Sequence, residues 1–94
     1  MTALRDLIQD LHEVSSEPVA RAKERMAAAL QRGGTSELVK ATEKRLNATE
    51  DRGKLMGIAQ AVDSLIADWP MLFAASDRRR LETIRDAAKK KAGM

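Results

Sequence analysis

The residue types that most often carry out acid–base, nucleophilic or metal chemistry are scarce in this chain. It has one histidine, His12, and no cysteine. Carboxylates stand beside His12 at Asp10 and Glu13, but a hydrolytic site also needs a nucleophile, and a metal site needs further ligands. A charged helix face in contact with water explains this cluster without any chemistry. We therefore predict no catalytic residue, no metal ligand, no cofactor and no small-molecule substrate, and we expect that the protein is not an enzyme.

Two carboxylates, Asp63 and Asp68, stand in the most apolar part of the chain. They are five positions apart, so they do not share a helix face as residues three or four apart do. A carboxylate in an apolar setting is one sign of an active site, and pairing with cations is the structural alternative. We expect pairing with the basic run Arg78–Arg80, which follows the turn at Pro70.

The only aromatic residues are Trp69 and Phe73, and they flank Pro70 and Met71. Aromatic anchors dominate many protein interfaces, so Trp69, Met71 and Phe73 are candidate partner-binding residues. The alternative is that the two rings close one end of the core, since a domain of this size has little else with which to build one. Two rings are too few for a platform on which successive bases of a single strand stack.

Basic residues concentrate near the C-terminus. The clusters Arg78–Arg80 and Lys89–Lys91 lie eleven residues apart, or about three helical turns, so they can share a helix face with Arg85 between them. Such a stripe is typical of phosphate contact. The alternative is a solvated helix whose lysines complement the negative end of its dipole. Candidate contacts for nucleic acid or an acidic partner are Arg78, Arg79, Arg80, Arg85, Lys89, Lys90 and Lys91.

The elements that must position these residues are helices, because apolar residues recur at spacings of three and four and strand-forming residues are rare. The clearest stripe runs from Leu55 to Trp69, and a second runs from Leu4 to Val14. We predict helices over residues 2–15, 18–31, 35–47, 55–69 and 76–91. Ser76 or Asp77 is expected to cap the last of them.

Glycine and proline mark most of the predicted helix ends. Gly33 and Gly34 should close the second helix, because glycine reaches left-handed backbone conformations without steric strain. Pro70 should end the fourth. The segment 47–54 is open: Asn47 and Glu50 form a capping-box pattern that favours a break, whereas the apolar spacing also allows one continuous helix.

Together these patterns predict one all-α domain over residues 1–94, a small bundle of four to five helices with a basic C-terminal helix at about 76–92. We expect the Leu55–Trp69 helix at its centre and the Leu4–Val14 stripe packed against it. Asp63 and Asp68 interrupt the apolar segment, which argues against a membrane span. The lack of cysteine fits a cytoplasmic location.

Two function classes are consistent with this architecture. The first is a non-catalytic protein–protein interaction module: an accessory subunit, adaptor or small inhibitor that occupies the surface of a partner or of a second copy in a homo-oligomer. The second is a nucleic-acid-binding regulator that uses the basic C-terminal helix. The formal net charge of +3 does not decide between them.

Overall fold

A computed structural model describes residues 2–11 and 17–93 and shows helices and no strand in that part of the chain. The all-α prediction is confirmed, and the described residues form four helices, where we predicted four to five. The predicted continuation of the first helix to residue 15, together with His12, lies outside the described residues. No helix among the described residues has the length and apolar character needed to cross a membrane. The helices are α1 (Thr2–Leu11), α2 (Glu17–Ala48), α3 (Arg52–Asp68) and α4 (Ala75–Lys91).

α2 contains the two helices that we predicted on either side of Gly33 and Gly34, joined through a sharp kink and counted here as one element. The backbone leaves helical geometry at Gly33 (φ −151°, ψ 16°) and Gly34 (φ 79°, ψ −163°). The angles of Gly34 fall in a region that only glycine occupies readily, and not in the left-handed helical region that we expected of a cap. An ion pair between Arg32 and Glu37 (3.5 Å) spans the bend. We call residues 17–32 the first arm of α2 and residues 35–48 its second arm.

The sequence allows either a break or a continuous helix over residues 47–54, and the structure has a break there, between α2 and α3. α2 ends at Ala48 and α3 begins at Arg52. The N-cap of α3 is Asp51, whose carboxylate accepts a hydrogen bond from the backbone N–H of Lys54 at 2.9 Å. Asn47, the cap that the capping-box alternative offered, does not cap this helix, because the chain stays helical for one residue beyond it.

α3 lies between α2 and α4 and contacts both. Its buried residues fall on slightly more than half of its circumference, where α2 and α4 pack against it. Within the described residues α1 contacts only α2, with Leu7 and Leu11 buried. The prediction that the first helix packs against the central one is therefore wrong. The buried residues of α3 are Leu55, Gly57, Ile58, Ala59, Ala61, Val62 and Leu65.

The start of α2 approaches α3 more closely than any side chain would allow. A Cβ atom added to Gly57 would lie 2.5 Å from the carbonyl oxygen of Pro18. Real Cβ atoms do not reach this distance from a backbone atom, so glycine is required there. This contact fixes the first arm of α2 against α3.

Pro70 ends α3 as predicted. Trp69 has left helical geometry (φ −132°, ψ 48°), and its backbone N–H donates to the carbonyl of Leu65 at 2.8 Å. This conformation follows from the restriction that proline imposes on the preceding residue.

α4 begins earlier than predicted. The N-cap is Ala74, which makes no side-chain hydrogen bond, so the assignment of Ser76 or Asp77 as the cap is wrong. The backbone N–H of Arg78 already donates to the carbonyl of Ala74 at 2.9 Å. Asp77 instead lies in the first turn, where its charge complements the positive end of the helix dipole. The core-facing residues of α4 are Leu81, Ile84 and Ala88, and all three are buried.

Candidate anion-binding cleft

The three predicted partner-binding residues do not form one surface. Phe73 is 6% exposed and belongs to the core, and Trp69 is half-buried against that core. Met71 is 95% exposed. The accessible part of this corner is a shallow depression of about 450 Å³ lined by Asp68, Trp69, Pro70, Met71 and Leu72.

The cations on one flank of α4 face α3. Oδ1 of Asp63 lies 3.1 Å from a guanidinium nitrogen of Arg85, and Oδ2 lies 3.7 Å from Nζ of Lys89. Arg85 also binds Asp86 at 3.1 Å, and the hydrogen bonds to Asp86 and Asp63 raise the pKa of Arg85. Asp63 is therefore paired, as expected, but with Arg85 and Lys89 and not with Arg78–Arg80.

The cations on the opposite flank of α4 face α2. Arg80 pairs with Glu43 at 3.5 Å. Lys91 pairs with Glu50 at 3.6 Å and donates to the carbonyl oxygen of Leu46 at 3.2 Å. These contacts hold α4 against the second arm of α2, so they are part of the packing of the bundle.

Only part of the predicted basic stripe remains unpaired. Arg78, Arg79 and Lys90 are exposed, and their side chains have no partner among the described residues. Three consecutive residues differ by about 100° each around a helix, so each cluster spreads over several faces. Asp68 is likewise not bound to Arg78–Arg80; its carboxylate accepts a hydrogen bond from the Ser64 hydroxyl at 3.4 Å.

A larger concentration of unpaired positive charge lies in a cleft of about 720 Å³ between the two arms of α2 and the start of α3. Arg21 and Ala48 both line it, although an unbent helix would separate them by about 40 Å. The bend at Gly34 therefore folds the second arm back beside the first. The basic residues that line the cleft are Arg21, Arg25, Arg32, Lys44, Arg45 and Lys54.

The rest of the cleft lining is mainly apolar and small. Met26 and Ile58 are buried, and no ring lies among the lining residues. Thr42 also lines it, but its hydroxyl donates to the carbonyl of Leu38 at 2.7 Å and is not available to a ligand in this arrangement. The lining thus combines cations with apolar contact area. Its alanines are Ala22, Ala28, Ala41 and Ala48.

The carboxylates of the cleft are already engaged. Glu50 pairs with Lys91, and Asp51 accepts the capping hydrogen bond of α3. Arg21 and Arg32 have exposed pairs with glutamates, at 3.4 and 3.5 Å. Among the described residues, no side-chain partner is found for four cations of the cleft, namely Arg25, Lys44, Arg45 and Lys54.

Arg45 is the least satisfied of these cations. It is half-buried, and its Nε atom is buried with no hydrogen-bond partner among the described residues. Burial lowers the pKa of Arg45, and the charges of Arg25 and Arg21 lower it further. An arginine nevertheless stays protonated at neutral pH. A buried donor without an acceptor costs about 1–3 kcal/mol.

This arrangement can hold an anion. Within the described residues no group of three or more histidines, cysteines or carboxylates is placed to hold a metal ion. Sequence reasoning missed the cleft, although one signal was present: Arg21, Arg25 and Arg32 share a helix face by their spacing. No protein-family model matches the chain, and comparison with curated proteins and with solved structures likewise found no match.

Proposed function

We propose that this protein is a non-catalytic protein–protein interaction module, an adaptor, accessory subunit or small inhibitor, and that it binds its partner through the cleft. The supporting observation is that Arg25, Lys44, Arg45 and Lys54 line one open cleft without side-chain partners among the described residues. Positive charge arranged in this way speeds association with an acidic surface and disfavours basic ones. The lack of cysteine supports a cytoplasmic location as part of the same proposal.

The partner that fits this cleft is an acidic segment that also carries apolar side chains. Its carboxylates would pair with the cations, and its apolar groups would cover Ala28, Ala41 and Ala48, the alanines of the lining that are not buried. The volume lies within the range of about 300–1,000 Å³ that is typical of pockets for small ligands. The cleft therefore receives a few side chains of the partner, while the neighbouring helix surfaces contact the rest.

The proposal is tested with a labelled peptide that has leucine at helical spacing and glutamate at the other positions. Binding is measured by fluorescence anisotropy with two charge-reversal variants of the full chain. The cleft variant carries Arg25→Glu and Lys44→Glu. Its matched control carries Arg79→Glu and Lys90→Glu, which make the same charge change at exposed residues of α4.

We expect the cleft variant to lose at least about tenfold in affinity and the control to stay within about twofold of the wild type, since rim charges distant from the site change mainly the association rate. Light scattering of the free protein is recorded first, so that self-association is measured separately. Equal losses in the two variants, or no binding by the wild type at low salt, would remove the cleft from the proposal.

A second candidate function is nucleic-acid contact through α4. The observation in its favour is that Arg79 and Lys90 are exposed, share a face by their spacing and have no side-chain partner among the described residues. A labelled DNA duplex should then shift at low salt, with an affinity that falls steeply as salt rises. The double variant of Arg79 and Lys90 should abolish the shift, and absence of any shift at low salt excludes this function.

A further inference from the structure

Arg45 has hydrogen-bonding capacity that the bundle does not use. Its buried Nε donor has no acceptor, and its guanidinium makes no ion pair among the described residues. Arg21 and Arg25 line the same cleft, close enough for their charges to act on Arg45. Three guanidinium groups thus line one cleft, two of them exposed and that of Arg45 half-buried. Of the carboxylates at its edge, Glu50 pairs with Lys91 and Asp51 accepts the capping hydrogen bond of α3.

The number and kind of these donors match a doubly charged oxyanion. A single carboxylate brings one negative charge, whereas a phosphate monoester brings nearly two and presents three strong acceptor oxygens. The planar fork of arginine binds phosphate through two parallel hydrogen bonds. We propose that the part of the cleft around Arg45 is a subsite for a phosphate monoester carried by the acidic partner segment, as on phosphoserine. This inference rests on the proposed function and names the group that the segment carries.

The same features disfavour nucleic acid as the source of the phosphate. Each phosphodiester brings one charge, and single strands are bound by combining a basic groove with aromatic rings that stack on bases. No aromatic residue lines the cleft. A single phosphorylated side chain entering between the two arms uses the donors that are present and requires no ring.

The experiment compares three labelled peptides that differ only at one central position, which is serine, glutamate or phosphoserine. Affinities for the full chain are measured by fluorescence anisotropy at constant ionic strength. We expect the phosphoserine peptide to bind about tenfold more tightly than the glutamate peptide, since bonds between ionised groups gain from the second charge. The glutamate peptide should in turn bind more tightly than the serine peptide.

Variants of Arg45 separate the subsite from the general charge of the cleft. Arg45→Lys keeps the charge but loses the planar fork of donors, and Arg45→Met loses the charge and the fork. Both should abolish the preference for phosphoserine over glutamate, while Arg45→Lys retains the affinity for the glutamate peptide within about threefold. Lys54→Met is the matched control, because Lys54 also lines the cleft without a side-chain partner, and it should retain the preference. Circular dichroism verifies that each variant is folded.

The outcomes distinguish the two proposals. If all three peptides bind equally well, the phosphate subsite is wrong and the acidic-partner function stands. If none binds, both fail. Inorganic phosphate and single-stranded DNA serve as competitors: displacement of the phosphoserine peptide by inorganic phosphate at equal concentration would make the ligand free phosphate, and stronger displacement by DNA would make it nucleic acid. Either result would overturn the inference.

Discussion

Arg45 and Arg85 are both half-buried arginines on long helices, but their surroundings are opposite. Arg85 donates to Asp63 and Asp86, both at 3.1 Å, and these hydrogen bonds raise its pKa. Arg45 has a buried Nε without an acceptor among the described residues, and burial together with two neighbouring arginines lowers its pKa. At the seam between α3 and α4 the cations Arg85 and Lys89 pair with carboxylates, whereas four of the six cations of the cleft have no side-chain partner among the described residues.

The difference indicates which charges serve the fold and which are free to bind a ligand. Charges that pair across two helices help to hold those helices together. Charges that are brought together without counter-ions reduce stability, and proteins tolerate this cost mainly where binding requires it. Four of the seven basic residues of α4 therefore serve the packing of the bundle, whereas the four unpartnered cations of the cleft do not.

Disrupting the bend that forms the cleft should lower the free energy of unfolding more than the other substitutions below. Gly34→Ala places a side chain at φ 79°, ψ −163°, a conformation that costs about 1–3 kcal/mol for other residues. A Cβ atom at Gly34 would meet nothing within 4 Å, so a loss in the free energy of unfolding, measured with urea, reports the backbone alone. Gly53→Ala, in the first turn of α3, should change stability by less than about 1 kcal/mol. Equal stability of the Gly34 variant and the wild type would contradict the bend.

Replacing Arg85 or Arg45 with methionine, which has a similar reach and no charge, tests how each arginine's surroundings affect stability. Arg85→Met should lower the free energy of unfolding by about 0.5–1 kcal/mol, because Asp86 loses its partner and Asp63 keeps only Lys89. Arg45→Met should raise the free energy of unfolding by about 0.5 kcal/mol, because it removes an unsatisfied donor and the repulsion from Arg25 and Arg21. Changes of the same sign in urea unfolding would show that the two environments are not opposite.

A smaller effect is expected from removing the acceptor of the seam. Asp63→Asn weakens the contacts of Arg85 and Lys89 and should lower the free energy of unfolding by about 0.5 kcal/mol. Asp86→Asn is the control, since Asp86 lies next to Arg85 on the same helix and joins no second element. In the Asp63→Asn background, Arg85→Met should cost less than in the wild type. An unchanged cost in this double-mutant cycle would mean that the pair between Arg85 and Asp63 contributes nothing.

Much of the fold follows from local patterns. The apolar spacing of α3, the stop at Pro70 and the interruption at Gly33 and Gly34 all appear in the structure, because each depends on residues within one or two turns. The choice between Asn47 and Asp51 as a cap did not follow, since both residue types cap helices and the sequence does not show where α2 ends.

The candidate site could be predicted only in part, because it depends on how distant segments meet. The division of the α4 cations follows from helical geometry, once the core-facing residues Leu81 and Ile84 are fixed. The cleft does not follow from any local pattern. It requires the direction in which α2 bends at Gly34, and that direction is set by the packing of both arms against α3, including the close contact between Pro18 and Gly57.

The most direct measurement follows the side-chain Nε–Hε signals of the arginines by NMR while the acidic peptide is added to the full chain. These signals report changes in the surroundings of each arginine guanidinium group. The account predicts that the signals of Arg25 and Arg45 shift with a common saturation curve and that those of Arg79 and Arg85 do not. Shifts confined to the arginines of α4, with Arg45 unchanged at saturation, would contradict it.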